Sequence, residues 1–493
     1  MPSLLIDGTW TEGSGGTADV INPFDASVVE TVGQAGPADV ERAVAAARTA
    51  FDTGPWRRTP AVERGALLRR VADLLVRDKE EIARTETLDT GKTLVESRVD
   101  VDDVVAVFRY YADLAGKDAG RLVDTGQPHI VSRVVAEPLG VCVLITPWNY
   151  PLLQLSWKVA PALAAGDTMV VKPSEVTPLT SVMLVRLIEE AGVPPGVVNI
   201  LLGDGRSVGA PLTEHPDVDM VSFTGGLATG QAIIRASAAT VKRVAVELGG
   251  KNPNIVFADS ATTERGFETV VDNALTAVFL HAGQVCSAGA RLIVEDEMYD
   301  DMVAEIGRRA ERIKLGNGLD EGTESGPLVS AAQRAKIEDF VASAISEGAR
   351  LVAGGHRPEE PELQKGFFYR PTVFADVRRD MRVIREETFG PILTVERFSG
   401  EEEAIELGND TEFGLAGAVW SGDAGRAERV AKALRHGTVW INDYGPYVPM
   451  AEWGGYKRSG NGRELGPTGL AEYQEHKHIW HNTAPKPMRW FGG

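Results

Sequence analysis

From about residue 140, short apolar runs alternate with helical stretches, and this alternation restricts the possible folds more than any other feature. The apolar runs cover residues 141–146, 169–172, 198–202, 218–223 and 241–248. Strands that alternate with helices favour a parallel sheet covered by helices on both faces. Ligands of such sheets bind beyond the carboxyl ends of the strands. We therefore predict an α/β fold with functional residues just after its strands.

A second α/β segment begins at about residue 254. Apolar residues at helical spacing predict an amphipathic helix from Phe267 to Val278, directly before residues 281–286. Further strands are predicted at residues 291–294, 392–395, 416–420 and 438–442. After a short opening, the first third of the chain is predicted to be largely helical.

Composition excludes several classes of protein. The 493 residues carry 70 acidic and 51 basic side chains, a formal net charge of −19, so binding to the phosphates of nucleic acid is not expected. No apolar run approaches the length of about 18 residues that indicates a membrane helix, and no secretory signal is visible. Two cysteines are too few for a disulfide framework. We expect a cytoplasmic protein without a membrane or nucleic-acid partner.

The two cysteines differ in their surroundings. Cys142 lies inside a predicted apolar strand, where a small packing residue is expected. Cys286 follows a predicted helix and has glycine, alanine and serine as neighbours, which would let a substrate approach a reactive thiol. Local context alone leaves Cys286 open between a nucleophile and a buried packing residue.

Polar residues that follow the other strands also have more than one possible role. Glu247 precedes two glycines and is either a general base or a solvated acid at a turn. Asn149 either caps the helix that begins near Pro151 or directs its amide at a developing oxyanion. Residues 224–230 form a glycine turn before a helix, which suits a phosphate, although the spacing is not that of G-x-G-x-x-G. Lys172 and Glu175 could bond ribose hydroxyls.

Taken together, six motifs occur in the order and at roughly the spacing of the aldehyde dehydrogenase superfamily. They are residues 148–151, 172–175, 223–225, 247–251, 283–286 and 386–391. The chain resembles this superfamily over nearly its whole length. The resemblance implies a Rossmann-type coenzyme domain (1–117 and 139–253), an α/β catalytic domain (254–465) and a small β bridging element for oligomerisation (118–138 and 466–493).

The resemblance also implies a reaction. Cys286 matches the nucleophile that adds to an aldehyde to give a thiohemiacetal, and hydride transfer to a nicotinamide then leaves a thioester. Asn149 and the Cys286 backbone N–H match the oxyanion hole. Glu247 matches the base that activates water to hydrolyse the thioester, and Glu464 matches a carboxylate of a proton relay. The product is a carboxylic acid.

A further group of positions matches coenzyme contacts in the superfamily. These are Thr146, Trp148, Lys172, Ser174, Glu175, Gly205, Gly225, Gly226, Gly230, Leu248, Glu387 and Phe389. A carboxylate at position 175 would accept a hydrogen bond from a free 2′-hydroxyl and repel a 2′-phosphate, so we predict a preference for NAD⁺, with NADP⁺ as the alternative. Two positions depart from the family pattern: Gly226 replaces a serine near the pyrophosphate, and Glu452 replaces a proline at the rim of the substrate channel.

Aromatic residues indicate the class of aldehyde. In betaine aldehyde dehydrogenases and related amino-aldehyde dehydrogenases, residues matching Tyr150, Trp157 and Trp453 surround an ammonium group, and Tyr444 lies near Trp453 in sequence. We expect Tyr150 and Trp157 on one face of a helix, two turns apart. Aromatic faces attract quaternary ammonium, and three stretches are most similar to bacterial betaine aldehyde dehydrogenases. The predicted reaction is betaine aldehyde to glycine betaine. The alternatives are an ω-amino aldehyde such as 4-aminobutyraldehyde, or a broad range of aliphatic aldehydes.

Other classes fit the sequence less well. A CoA-acylating dehydrogenase typically lacks the general-base glutamate, whereas Glu247 is present, and a non-catalytic relative would not need to keep Cys286. His476, His478 and His481 form an H-x-H-x-x-H cluster, but this segment matches the oligomerisation strand of the superfamily, so no metal site is expected. Members of the superfamily are usually dimers or tetramers, which predicts a homodimer or homotetramer.

Overall fold

The computed structural model describes residues 3–117 and 120–491. Residues 1, 2, 118, 119, 492 and 493, which fall within the predicted domain ranges, lie outside the described residues. The helices α1 to α15 are Pro37–Asp52, Ala61–Arg77, Lys79–Thr90, Leu94–Leu114, Pro151–Ala165, Leu179–Glu190, Ala210–Glu214, Leu227–Ser237, Glu264–Phe279, Tyr299–Ala310, Ala331–Ser346, Arg382–Arg385, Glu401–Asn409, Ala424–Ala433 and Gly466–Ala471. The strands β1 to β20 are Leu4–Ile6, Thr9–Thr11, Thr17–Ile21, Val28–Gly33, Arg121–Val123, Ile130–Pro138, Val141–Ile145, Thr168–Lys172, Val198–Ile200, Met220–Gly225, Arg243–Leu248, Pro253–Val256, Arg291–Glu295, Arg350–Ala353, Thr372–Ala375, Ile392–Phe398, Ala416–Trp420, Thr438–Ile441, Gly460–Asn461 and Gln474–Asn482.

The predicted parallel sheet is confirmed. The five apolar runs form β7, β8, β9, β10 and β11, which lie parallel in the order β11-β10-β7-β8-β9. Three antiparallel strands extend the edges, β19 beside β11 and β1 and β2 beyond β9. Because the central strands run in one direction, their carboxyl ends meet at one edge of the sheet.

The second α/β segment forms a separate sheet in the order β14-β15-β16-β13-β12-β17-β18, parallel except for β14. The four later strands predicted from sequence are β13, β16, β17 and β18, with small differences at their ends. Helix α9 ends at Phe279, and β13 begins at Arg291. The loop between them carries Cys286.

Helix α5, which begins just after Asn149, is fully buried. All of its 15 residues are buried, because nearly every side chain is apolar or small and the helix packs against α2, α4, α6, α15 and the sheet. The neighbouring α4 begins with a capping box in which Thr93 accepts from the backbone N–H of Glu96 and the Glu96 carboxylate accepts in return from that of Thr93. Helix α5 starts two residues after Asn149 and carries Trp157 and Lys158.

A small antiparallel sheet of β5, β6 and β20 stands apart from the two larger ones. Strands β6 and β20 pair along their full length, from Gln474 opposite Pro138 to Asn482 opposite Ile130. Leu122 and Trp480 on this sheet are exposed by 80% and 52%. Exposed large apolar side chains on one small sheet are typical of a surface that meets another protein.

Two further observations concern membranes and metals. Among residues 3–117 and 120–491, none of the helices has both the length and the apolar character that crossing a bilayer requires. The same residues include no group of three or more His, Cys, Asp or Glu side chains placed to hold a metal ion. His478 instead shares a hydrogen bond of 2.9 Å with the hydroxyl of Ser132 on the neighbouring strand.

Candidate active site

The carboxyl ends of β7, β8, β10 and β11 open onto a cavity of about 530 Å³. Asn149, Glu247 and Cys286 line it together, although the two sheets contribute them from distant parts of the chain. All predicted coenzyme positions except Gly230 also line this cavity. Gly230 lies inside α8, where an added Cβ would come within 2.7 Å of a Leu248 methyl group. Glycine at this position therefore allows α8 to pack closely against Leu248.

The backbone before Cys286 is sharply bent. His281 and Ala282 have φ values of 46° and 51°, which non-glycine residues rarely adopt. Gly283 follows at φ 73°, and a Cβ there would lie 2.2 Å from the carbonyl oxygen of Gly390. Only glycine fits this position. The bend turns the chain away from the axis of α9 and brings Cys286 to the cavity.

Two buried amide side chains hold this loop. Asn252 Nδ2 donates to the carbonyl oxygens of Cys286 and Ala288, both at 3.0 Å. Gln284 Oε1 accepts from the backbone N–H of Val329 at 2.9 Å, and its Nε2 donates to the His281 carbonyl at 3.1 Å. Neither amide was predicted from the sequence. Gln284 lies within the motif at residues 283–286, and Asn252 directly follows the motif at residues 247–251.

The Cys286 thiol is protonated at neutral pH in this environment. Burial raises the pKa of Cys286 to about 12, and the Glu387 and Glu247 carboxylates raise it as well, while the backbone N–H groups of Ser287 and Cys286 act in the opposite direction. The thiolate is the nucleophilic form. A neighbouring base therefore has to take the thiol proton before the sulfur can attack a carbonyl.

Asn149 does not cap helix α5, so the capping interpretation is wrong. The helix begins at Pro151, Tyr150 holds the cap position, and no side chain caps it. Asn149 Nδ2 instead donates one hydrogen to the Gln284 carbonyl at 2.8 Å. This bond fixes the amide plane at the cavity wall and leaves the second N–H of Nδ2 available to a ligand oxygen. That is the geometry an oxyanion contact requires.

Glu247 is a buried carboxyl without a hydrogen-bond partner among the described residues, at either oxygen. Burial, and secondly the charge of Glu464, raise its pKa well above the usual value. A raised pKa makes a carboxyl a stronger proton acceptor, as a general base requires. The turn interpretation, which requires a solvated acid, is wrong.

Glu464 lies behind Glu247 and does not line the cavity. Backbone hydrogen bonds of 2.7 and 2.8 Å pair it with Trp453, and its carboxylate forms an ion pair with the buried Lys158. Lys158 Nζ also donates to the Ser222 hydroxyl at 3.0 Å. Lys158 was missed from sequence, although it is the one charged residue of helix α5 and was an available signal.

The positions predicted to contact a coenzyme include both polar and apolar side chains. Lys172 Nζ donates to Glu175 Oε2 at 3.3 Å, at the end of β8. Glu387 Oε1 accepts from the Gly250 N–H at 3.1 Å, and burial raises the pKa of Glu387 to about 7. Gly249 admits this carboxylate, because a Cβ there would lie 1.8 Å from Glu387 Oε1.

Several lining groups remain open to a ligand. The hydroxyls of Thr146 and Thr224 are buried, line the cavity and have no hydrogen-bond partner in the described part of the chain. The Phe389 and Trp148 rings meet edge to face at 5.1 Å between centroids. Gln333 and Lys336 also line the cavity, and the sequence motifs did not indicate them.

An aromatic cluster lies beside the Cys286 loop. We define it as Trp157, Trp440, Tyr444, Tyr447 and Trp453. Its neighbouring rings have centroids 4.8 to 6.3 Å apart. Tyr444 Oη donates to the Ser287 carbonyl at 2.7 Å, which ties the cluster to the residue after Cys286. Trp440 was not singled out from sequence.

Three features near the cluster add to or correct the sequence analysis. Tyr150 precedes α5 and does not lie on it, so the prediction of a shared helical face with Trp157 is wrong. Tyr447 Oη donates to Asp103 Oδ2 at 2.5 Å, which places a carboxylate at the edge of the cluster. Glu452 is exposed and accepts from the Thr468 hydroxyl at 2.9 Å.

Comparisons with known proteins agree with this geometry. The sequence profile of the Aldehyde dehydrogenase family matches residues 10–479. A betaine aldehyde dehydrogenase of Bacillus subtilis is 56% identical over 490 residues, 99% of each chain. An aminoaldehyde dehydrogenase 2 of Pisum sativum is 45% identical over 478 residues, 96% of this chain and 94% of the relative. The structure of a Staphylococcus aureus betaine aldehyde dehydrogenase in complex with NAD⁺ has a TM-score of 0.98 and 50% identity, and covers 100% of this chain and 97% of that one.

The raised pKa of Cys286 predicts a pH profile for alkylation of the coenzyme-free protein. Because the thiolate reacts, the rate with iodoacetamide should rise about tenfold per pH unit up to at least about pH 10, well past the usual thiol pKa of about 8.5. Mass spectrometry would assign the label to Cys286, and Cys286→Ala is the control that should remain unlabelled. A plateau near pH 8.5 would contradict the effect of burial.

Proposed function

The chain belongs to the aldehyde dehydrogenase family, and we propose that it oxidises betaine aldehyde to glycine betaine with NAD⁺. Family membership makes it an NAD(P)⁺-dependent aldehyde dehydrogenase. The observation that carries the choice of aldehyde is the aromatic cluster, which hydrogen-bonds to the backbone beside Cys286 through Tyr444. Relatives named for betaine aldehyde, 56% and 50% identical to this chain, support the same choice.

The cluster suits a trimethylammonium group for electrostatic reasons. Trimethylammonium has no N–H to donate, so it cannot use ordinary hydrogen-bond acceptors, whereas the faces of Trp and Tyr rings attract it. The Tyr447 hydroxyl donates to Asp103, which places a negative charge behind one ring. A neutral aldehyde would gain hydrophobic contact from these rings but not the cation–π attraction.

In the proposed mechanism, the Cys286 thiol first loses its proton, and Glu247 is the acceptor through an intervening water. The sulfur forms a bond to the aldehyde carbon, and the carbonyl electron pair moves onto oxygen. The free N–H of Asn149 and the backbone N–H of Cys286 then donate to the oxyanion. NAD⁺ bound in the cavity supplies the acceptor for the hydride that leaves this carbon. A thioester on Cys286 remains.

The second half of the mechanism depends on Glu247. The proton taken from Cys286 first leaves Glu247 by way of Glu464. The Glu247 carboxylate then takes a proton from a water that attacks the thioester carbon. The carbon–sulfur bond breaks, the Cys286 thiolate is reprotonated from solvent, and glycine betaine is released. The proton on Glu247 passes towards Glu464, whose partner Lys158 stabilises the charged carboxylate. Glu464 contributes, after burial, to the raised pKa of Glu247, and two neighbouring carboxyls coupled in this way are suited to sharing one proton.

The cavity has the size and the groups to hold the coenzyme. Its volume of about 530 Å³ falls in the range of small-molecule sites, and the hydroxyls of Thr146 and Thr224 are available as donors. Glu175 and Lys172 are proposed to bond the adenosine ribose, Trp148 and Phe389 to border the nicotinamide half, and Glu387 to bond its ribose.

We also propose a division of the chain into the three parts expected from the resemblance. The unit around the eight-stranded sheet would bind coenzyme, and the unit around the seven-stranded sheet would carry Cys286. The small sheet, with Leu122 and Trp480 exposed, would join subunits of a homodimer or homotetramer. We place the enzyme in the cytoplasm, where its two free cysteines remain reduced.

A panel of three aldehydes tests the proposed substrate. We expect kcat/KM to be at least tenfold higher for betaine aldehyde than for 3,3-dimethylbutyraldehyde, the neutral molecule of nearly the same shape. The third aldehyde, 4-aminobutyraldehyde, tests the second candidate function. Asp103 favours that function, since a primary ammonium can donate to a carboxylate. Equal values for betaine aldehyde and its neutral counterpart would refute the cationic substrate.

Glu175 is expected to decide between coenzymes. Replacing Glu175 by Gln removes the charge that repels a 2′-phosphate, so the ratio of kcat/KM for NADP⁺ over NAD⁺ should rise about tenfold. Glu214→Gln, which neutralises another carboxylate in the same cavity, is the matched control and should leave the ratio within twofold. An unchanged ratio in Glu175→Gln would show that this carboxylate does not discriminate.

A further inference from the structure

A fully buried lysine lies against Tyr150. Lys92 Nζ is 4.0 Å from the centroid of the Tyr150 ring, within the range of a cation–π contact. The Lys92 side chain has no exposed surface. It comes from the loop between α3 and α4 and takes no part in the proposed reaction.

The Lys92 ammonium is fixed from behind by acidic side chains. Its Nζ donates to Asp100 Oδ2 at 2.6 Å and to Glu86 Oε1 at 3.3 Å. The second oxygen of Glu86 accepts from the Thr180 hydroxyl at 2.5 Å. Burial opposes the positive charge, but Asp100 and Glu86 outweigh it and raise the pKa of Lys92. These contacts hold the Lys92 ammonium in a fixed place against the Tyr150 ring.

Tyr150 lies close to the reacting sulfur. Burial raises the pKa of Tyr150 well above its usual value, and Cys286 is near enough for a thiolate charge to add to this rise. Tyr150 in turn is near enough to Tyr447 to contribute to the raised pKa of that residue. The His281 ring packs edge to face on Tyr150 at 5.4 Å, and burial lowers the pKa of His281 well below its usual value, so this ring is neutral. Among the charged side chains described here, Lys92 is the cation in contact with the ring.

We propose that Lys92 positions Tyr150 and, by placing a positive charge on one face of its ring, limits how strongly that ring binds a cationic aldehyde. This inference rests on the proposed function. A ring that already binds one cation attracts a second one less, because the second meets both a polarised π system and a like charge. Lys92 also separates Tyr150 from the charges of Asp100 and Glu86. Lys92 is thus a positioning residue that sets selectivity between cationic and neutral aldehydes.

The inference predicts a change in a ratio. We take kcat/KM for betaine aldehyde over kcat/KM for 3,3-dimethylbutyraldehyde, so that general damage to the site cancels. Lys92→Met should raise this ratio about fivefold, mainly through a lower KM for betaine aldehyde. A merely structural role for Lys92 would lower both values together and leave the ratio unchanged, which would overturn the inference.

A double-mutant cycle tests whether the effect passes through the ring. In a Tyr150→Leu background, Lys92→Met should change the ratio by less than twofold. A fivefold rise in both backgrounds would mean that the charge acts without Tyr150, and would also overturn the inference. If Lys92→Met does not fold, because it leaves two buried carboxylates without a cation, the same cycle is measured in an Asp100→Asn background.

The wild-type ratio separates this inference from the proposed function. A wild-type ratio near one contradicts betaine aldehyde as the substrate, whatever Lys92 does. A high wild-type ratio that Lys92→Met leaves unchanged contradicts the role of Lys92 alone.

Discussion

Burial opposes ionisation of both Cys286 and Glu247, and the proposed chemistry depends on how these two groups exchange a proton. The pKa of the thiol is raised to about 12, so the thiol keeps its proton until a base removes it. Glu247 has no hydrogen-bond partner in the described protein and a pKa raised by burial and by Glu464. Such a carboxyl can accept the thiol proton and later release it. The bend at residues 281–283 and the amides of Asn252 and Gln284 hold the sulfur where this exchange is possible.

Much of the fold could be predicted because its strands are encoded locally. Runs of β-branched and apolar residues mark β7 to β11, and the cavity lies where a parallel sheet requires it. Lys158 and Asn252 were missed because their importance comes from contacts distant in sequence: Lys158 meets Glu464, 306 residues away. Trp440 was missed although its partners Tyr444 and Trp453 lie close to it in sequence. The cap of α5 lies one residue later than the proposed Asn149, at Tyr150, and the Tyr150 ring rests on Lys92.

Binding of the aldehyde is proposed to depend on two opposing electrostatic effects on its cationic group. The aromatic cluster and Asp103 favour a cation, whereas Lys92 places an opposing charge beneath Tyr150. All of these groups are held by buried partners, so their electrostatic effect is present before the substrate arrives and requires no rearrangement. Net acidity of the whole chain contributes less, because salt screens exposed charges over about 8 Å.

The central claim is that Cys286 carries the acyl group and Glu247 releases it. Glu247→Gln, mixed rapidly with betaine aldehyde and NAD⁺, tests both parts, with NADH followed by absorbance and the quenched protein analysed by mass spectrometry. Because Glu247 is also the base for the thiol, the account predicts little NADH from this variant at neutral pH. At about pH 10, where hydroxide can take the thiol proton instead, it predicts a burst of about one NADH per site, then slow turnover, with the acyl group on the peptide that contains Cys286. Continuous turnover without a burst, or an acyl group on another residue, would contradict it.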